Sequence, residues 1–220
     1  GNIGSGKSTV VSSLKSAVGN NKSNRNIYYF LQEPVDEWNT ICDTSGINIL
    51  TKFYANQEKY SFAFQMMAYI SRLAQLKETI SEIINDKNFS LNNRYFVFSE
   101  RSVFTDKNVF AKMLYDSGKI ENIEYQIYNK WFDNFIKELP QVKYIYIQTS
   151  PDIAYERILK RNREGENIEK EYICSCHKYH EDWLIGNSEK NLKLNLKTIN
   201  GNNNPNSVLF EVMKYLGIIV

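Results

Sequence analysis

Short runs dense in β-branched and aromatic residues punctuate the chain at Asn26 to Leu31 (NIYYFL), Tyr95 to Ser99 (YFVFS) and Val142 to Gln148 (VKYIYIQ). Runs of this length and density predict strands buried on both faces, as in a parallel sheet. The segments between them follow the helical period instead. Val10, Val11, Leu14 and Val18 predict a helix ending near Gly19, and Met66, Ile70, Leu73, Leu76, Ile80 and Ile83 predict one over about Glu58 to Ile84. Residues around Asp43 to Gly46 read as a loop. Two more helices are predicted over about Val103 to Tyr115 and Ile123 to Leu139, the second bounded by Pro140. Pro151, placed for a first helical turn, starts another that leads into the basic segment Arg157 to Arg163. A helix carrying His177 to Trp183, an edge-like strand over Leu192 to Ile199 and a helix from Ser207 to Leu216 complete the pattern. Strands alternating with helices predict an α/β fold, a mostly parallel sheet with helices on both faces. The 220 residues fit one such domain spanning 1–220, without internal repeats. The helix near 58–84 is long enough to pack against something outside that domain.

Charge and composition narrow the partners more than the fold. With 27 basic and 25 acidic residues the net charge is +2, so no general polyanion-binding surface and no nucleic-acid partner are expected. No apolar run approaches the ~18 residues of a membrane span, and no membrane partner is expected. Three cysteines, an odd number, point to a reducing compartment and hence a cytoplasmic protein, with a targeting peptide ahead of residue 1 left open.

Chemistry enters at the start of the chain. Gly1-Asn2-Ile3-Gly4-Ser5-Gly6-Lys7-Ser8-Thr9 fits G-x-x-x-x-G-K-S, a Walker A loop whose backbone N–H groups wrap a phosphate at a helix N-terminus. Lys7 would reach the β- and γ-phosphates and the Ser8 hydroxyl would ligate Mg²⁺, which implies ATP or GTP. Such a loop follows a buried strand. None precedes residue 1, so the sequence reads as a P-loop NTPase-type domain whose first strand is missing, a fragment or a gene model begun inside the domain.

In an open parallel sheet, ligands collect at the C-terminal strand ends. That rule brings Lys7 and Ser8 to one rim with Glu33, which follows the first visible strand, and with Glu100 and Arg101, which end the second. Phosphoryl transfer needs such a set: a metal, cations on the moving phosphoryl group and a group that orients the attacking oxygen. Glu33 can serve as that base for an alcohol. It would repel a phosphate acceptor, so it favours a hydroxyl-bearing substrate over a nucleoside monophosphate. Glu100 could hold Mg²⁺ directly or through water, with Arg101 on the transferred group. Arg157 and Arg161 share a helical face and Arg163 follows in the next turn, so the three could close over the phosphates as a cationic lid, about 157–170. On the long helix Gln65, Ala68 and Arg72 fall within about a 60° arc, a pocket wall in which Gln65 offers the donor–acceptor pair that matches a base edge. A zinc reading of Cys174, Cys176, His177 and His180 fails on spacing, because helical geometry separates the cysteines and no second ligand pair exists.

These motifs together resemble the deoxynucleoside kinases of the deoxycytidine and deoxyguanosine kinase group. They are GNIGSGKST, EPVDEW (Glu33 to Trp38), YSFAFQ (Tyr60 to Gln65), ERSVFTD (Glu100 to Asp106), RILKRNREGE (Arg157 to Glu166) and HKYHEDWL (His177 to Leu184). The resemblance implies Glu33 as base for the 5′-hydroxyl, Arg101 as its positioner and Glu100 as the metal residue. It also implies Tyr54 and Glu166 on the sugar 3′-hydroxyl, Trp38, Phe64 and Phe110 as walls of the base pocket, and a homodimer joined through a helical bundle. That bundle would give the long helix and the one near Ile123 to Leu139 their outside partner. Ala68, Arg72 and Asp106 match the deoxycytidine-type members. An ionised Asp106 accepts from an exocyclic amino group and repels a carbonyl, while Arg72 fills the room of a thymine methyl, so deoxycytidine and purine deoxynucleosides are expected over thymidine. Gly165 stands where the family carries an acidic lid residue. A thymidylate kinase-like monophosphate kinase shares the fold but carries an Arg just before its equivalent of Glu33-Pro34, where Gln32 stands here. A non-catalytic nucleotide-binding subunit would have no need of Lys7, Ser8, Glu33 and Arg101 together.

Overall fold

A computed structural model describes residues 1–19, 25–163, 166–186 and 195–218. The chain runs α1 (Lys7–Gly19), β1 (Asn26–Leu31), α2 (Val35–Thr40), α3 (Ile49–Ala55), α4 (Gln57–Asn85), β2 (Arg94–Ser99), α5 (Val103–Thr105), a π-helical turn (Asp106–Ala111) and α6 (Lys112–Asp116). It continues through α7 (Asn122–Phe135), a 3₁₀ turn (Ile136–Glu138), β3 (Lys143–Gln148), α8 (Pro151–Arg161), α9 (Lys170–Leu184), β4 (Asn195–Asn200) and α10 (Pro205–Tyr215). Both strand pairings are parallel, β1 with β2 and β3 with β4. Where one sheet was expected, the described strands form two two-stranded ladders, with no described hydrogen-bonded ladder joining the β1–β2 pair to the β3–β4 pair.

Period-two alternation assigns each strand side chain to one of two helical layers. Tyr28, Phe30, Phe98, Ile145, Ile147 and Ile199 pack with Val10, Leu14 and Val18 of α1 and with Val208 and Val212 of α10. Cross-strand neighbours on this face stack, with 5.4 Å between the rings of Tyr28 and Phe96 and 5.3 Å between those of Phe30 and Phe98. On the other face α4 lies against β1, and α9 covers β3 through Tyr144 on Trp183 and Tyr146 on His180. A further core joins Tyr69 and Leu73 of α4 to Val103, Ala111, Tyr128 and Phe132. No described helix is long and apolar enough to cross a membrane.

Several boundaries depart from the sequence pattern for identifiable reasons. α2 and α3 have only six and seven residues, too few to show a period. Their neighbourhood is organised by caps: the Asn48 side chain accepts from Thr51 N at the start of α3, and Asn56 accepts from Lys59 N at the start of α4. The predicted continuous helix over 103–115 is interrupted by the π-helical turn, a feature that frequently marks functional sites. α9 begins at Lys170, well before His177. The predicted start of the last strand, at 192–194, lies outside the described residues, as does the predicted departure at Gly165.

Leu14, 2 % exposed, sits at the centre of the layer under all four strands. Leu14→Ala is expected to lower stability by about 2–5 kcal/mol. Leu159→Ala, at a position 59 % exposed on α8, should change it by less than about 0.5 kcal/mol. Urea unfolding of both variants measures the difference.

Candidate active site

The phosphate loop is held by contacts from three other parts of the chain. Gly4 and Gly6 adopt φ of 74° and 93°, and a Cβ at Gly4 would lie 2.2 Å from the Ala154 carbonyl oxygen of α8, so only glycine fits there. Asn2, itself buried, donates from Nδ2 to the Ile173 carbonyl of α9 at 2.9 Å, and Thr149 Oγ1 donates to Ser5 O at 3.2 Å. Lys7 Nζ donates to Asn2 O at 2.7 Å, folded back on its own loop. Burial, then the charge of Arg101, lowers the Lys7 ammonium from its ordinary range to about 7. Ser8 and Thr9 open α1, and Ser8 Oγ donates to Glu100 Oε2 at 2.9 Å. The two residues expected to hold a metal are therefore adjacent, and a hydroxyl beside a carboxylate is a hard oxygen set suited to Mg²⁺.

Glu33 follows β1 and Arg101 follows β2, and register pairing of the two strands brings them together. Arg101 Nη1 donates to Glu33 Oε1 at 2.5 Å and Arg72 Nη2 donates to the same oxygen at 3.0 Å. Arg72 reaches in the other direction to Asp106 of the π-helical turn, Nε to Oδ2 at 2.9 Å. Burial alone would raise the Glu33 carboxyl, but the charges of Arg101, Arg72 and Lys7 outweigh it and hold the group well below the usual carboxylate range. For Asp106 burial outweighs the Arg72 guanidinium 2.9 Å away and raises the carboxyl above its ordinary range.

A cavity of about 1100 Å³ joins these groups to the loop, at the upper end for a ligand pocket and large enough for two substrates. Gln65, Ala68 and Arg72 line it from α4, all buried, as the helical arc requires. Trp38, Phe64, Phe110 and Tyr54 line it too. Trp38 is fixed by Nε1 donating to Ser71 Oγ at 2.9 Å and stands edge-on to Phe64 at 5.5 Å. Tyr54 is close enough to Glu166 that burial first and this carboxylate next push its phenol well up, keeping it a hydroxyl donor. The basic segment is less free than its sequence suggested. Arg157 Nη1 donates to the Gly201 carbonyl at 3.0 Å, Arg161 Nη2 donates to Glu166, and Arg163 Nη1 donates to Glu166 at 3.0 Å. All three arginines and Glu166 line the cavity.

Trp38 of α2 and Tyr54 of α3 were expected, but sequence reasoning missed the rest of the wall from these helices and the start of α9: Asn39, Asn48, Thr51, Phe53 and Tyr172. Phe53 stacks on Phe64 at 4.5 Å and is 1 % exposed. The capping pattern Asn48-x-x-Thr51 was the available signal. Around the rejected zinc reading, Cys174 is exposed, burial pushes the Cys176 thiol to about 12, and His180 Nδ1 is bonded to the Cys176 carbonyl.

A glycine loop at a helix N-terminus, strand-end charges beside it and a deep cavity beyond define a P-loop phosphotransferase. Comparison with known proteins narrows the class. A sequence model of the deoxynucleoside kinase family matches residues 1–216. The chain is 34 % identical to the probable deoxycytidine kinase of Fowlpox virus (strain NVSL), over 98 % of this chain and 86 % of that one. It is 31 % identical to human deoxycytidine kinase, over 84 % of this chain and 73 % of the relative, and 28 % identical to human mitochondrial thymidine kinase 2, over 86 % and 63 %. The fold is also that of a solved deoxyadenosine kinase from M. mycoides, with a TM-score of 0.76, 23 % identity and coverage of 100 % and 97 %. The chain belongs to the deoxynucleoside kinase family. It is an enzyme that transfers a phosphoryl group from a nucleotide to a deoxynucleoside.

The lowered Lys7 ammonium makes nucleotide binding pH-dependent. Above about pH 7 the ligand-free protein holds Lys7 neutral, whereas a bound triphosphate favours the ammonium, so binding must take up a proton. Apparent affinity for ATP should fall by up to about tenfold per pH unit between pH 7 and 9. Titration calorimetry at pH 8 in two buffers of different ionisation enthalpy should register that proton, and a pH-independent Kd would exclude it.

Proposed function

We propose that the chain phosphorylates the 5′-hydroxyl of deoxycytidine and of purine deoxynucleosides in preference to thymidine, with ATP as donor and Mg²⁺ as metal. The observation that carries this reading is the buried series Arg101–Glu33–Arg72–Asp106, which links an alcohol-activating carboxylate directly to the wall of the cavity. The nucleoside lies with its base between Trp38, Phe64 and Phe110, its Watson–Crick edge at Gln65 and Asp106, and its 3′-hydroxyl between Tyr54 and Glu166. Asp106 accepts from an exocyclic amino group, and Arg72 with Ala68 limits the space beside it.

Glu33 orients the 5′-hydroxyl and takes its proton. A carboxylate held so acidic is a weak base toward a free alcohol. In a loose transition state the proton is needed late, when bonding to phosphorus has acidified the hydroxyl, so orientation is the larger contribution. Arg101 holds Glu33 and stabilises the developing charge. At the loop the backbone of Gly1 to Gly6 cradles the β-phosphate, Lys7 leaves Asn2 O for the β- and γ-phosphates, and Arg157, Arg161 and Arg163 of the lid, about 157–170, supply further positive charge. Ser8 and Glu100 would hold the Mg²⁺, which when bound neutralises the β- and γ-oxygens. Residues 1–220 act as one domain. Nothing in the charge distribution favours a nucleic-acid partner, and the cysteine content favours a cytoplasmic setting.

Steady-state assay of four deoxynucleosides tests the reading. Deoxycytidine or a purine deoxynucleoside should exceed thymidine in kcat/KM, and Glu33→Gln should lower kcat by roughly 10²–10⁴-fold. Equal or better use of thymidine would overturn the substrate assignment, and a fully active Glu33→Gln the assignment of the base.

An apolar stripe on α7 supports a homodimer. Ile123, Ile127, Trp131 and Phe135 recur every fourth residue and are 38 % to 64 % exposed, with Ile70 and Ile84 of α4 also exposed. Four large apolar side chains on one helical face favour burial against a second copy. Light scattering should give twice the chain mass for the wild type and the single mass for Trp131→Glu.

A further inference from the structure

His180 of α9 is fully buried and does not line the cavity, so the roles above leave it without a purpose. Its Nδ1 lies 2.7 Å from the carbonyl oxygen of Cys176, one turn back in the helix. A carbonyl only accepts, so Nδ1 carries the proton and donates it, and the tautomer is fixed. Burial, the largest influence, holds the ring well below its ordinary range, so it stays neutral. Nε2 has no hydrogen-bond partner among the described residues. A neutral ring anchored at one nitrogen and screened from substrate is suited to holding a neighbour in place.

That neighbour is aromatic on both sides. Tyr146 of β3 lies parallel to the imidazole, with 5.9 Å between centroids and 1° between planes. Tyr146 is itself pinned, its hydroxyl donating to Glu181 at 2.6 Å, and Gln148 Nε2 donates to the same carboxylate at 2.9 Å. Phe110 meets the imidazole at 88° with centroids 6.2 Å apart, the edge-to-face arrangement favoured by ring quadrupoles. The Arg101 guanidinium in turn lies 4.8 Å from the Phe110 centroid, and the same group donates to Glu33. Contacts therefore run without a break from β3 through α9 and the π-helical turn to the carboxylate that faces the acceptor.

We propose that His180 is a positioning residue, whose imidazole, locked by the Cys176 carbonyl, sets the plane of Phe110 and through it seats Arg101 against Glu33. The hydrogen bond at Nδ1 is the reason for histidine at this place. A leucine or phenylalanine would fill the volume but lack the bond that fixes rotation about χ2. The role rests on the assignment of Glu33 and Arg101 given above.

The test uses the full chain and the deoxynucleoside that the wild type turns over fastest. His180→Leu should lower kcat by roughly ten- to a hundredfold, the scale of a misplaced catalytic group, with the KM for ATP within about twofold. His180→Asn, which keeps a donor for the Cys176 carbonyl but removes the ring, should show the same loss and serves where the leucine variant fails to fold. In a Phe110→Leu background the His180 substitution should change kcat by less than about twofold while still lowering Tm, because the intermediary is already gone. An unchanged kcat in both single variants, or the same fold loss in both backgrounds, would overturn the positioning role. Glu33→Gln run alongside separates the two claims: if it is fully active the underlying site reading fails, and if it is impaired while the His180 and Phe110 effects multiply, only the positioning role fails.

Discussion

Arg72 lies 4 % exposed between two carboxylates, Glu33 and Asp106, and much of the molecule converges on that guanidinium. The network it forms with Arg101 carries two positive and two negative charges, so it is internally neutral. Burying such a set brings little net stability, since the desolvation cost roughly offsets the attraction, yet stripping one partner would strand a buried charge at about 3–5 kcal/mol. Its consequence is geometric. Four side chains from the end of β1, the middle of α4, the end of β2 and the π-helical turn must arrive in one place, which fixes how those elements meet. The same rigidity holds Glu33 between two guanidinium groups that keep it ionised.

The phosphate loop is organised by a different kind of constraint, uncharged contacts that each end on a backbone carbonyl. Gly4 against Ala154, Asn2 against Ile173 and Ser5 against Thr149 join the loop to α8, to α9 and to the end of β3. α8 and α9 flank the basic segment, so whatever moves Arg161 and Arg163 shares its anchors with the loop. Glu166 lies between these systems, paired with both arginines and close to Tyr54. The basic segment and Tyr54 thus share one carboxylate.

Much of this was legible in the sequence. The run GNIGSGKST carries its own geometry, because positive φ at Gly4 and Gly6 and a helix starting at Lys7 are what those residue types permit. Glu33 and Arg101 were legible because each closes a run of β-formers, and strand ends in a parallel arrangement share a rim. Gln65, Ala68 and Arg72 were legible because helical spacing is arithmetic. By contrast α2 and α3 left no periodic trace, and beyond Trp38 and Tyr54 the wall they build, with Phe53 stacked on Phe64, emerged only once caps at Asn48 and Asn56 turned the chain.

The sequence by itself therefore determined the phosphate loop, the strand-and-helix order and the identity of the charged groups at the strand ends, since all of these depend on local stereochemistry and short-range period. Tertiary structure alone decided which charges pair. Nothing in the spacing of residues 33, 72, 101 and 106 says that Arg72 bridges two carboxylates, that Arg161 and Arg163 rest on Glu166, or that His180 reaches Glu33's neighbourhood through Phe110. The contacts of Arg72 and His180 join residues 34 to 70 positions apart, those on Glu166 residues three and five apart, and in the lid and α9 they depend on how whole helices seat on the sheet. Such packing is fixed by the summed fit of many side chains and leaves no signature at any one of them.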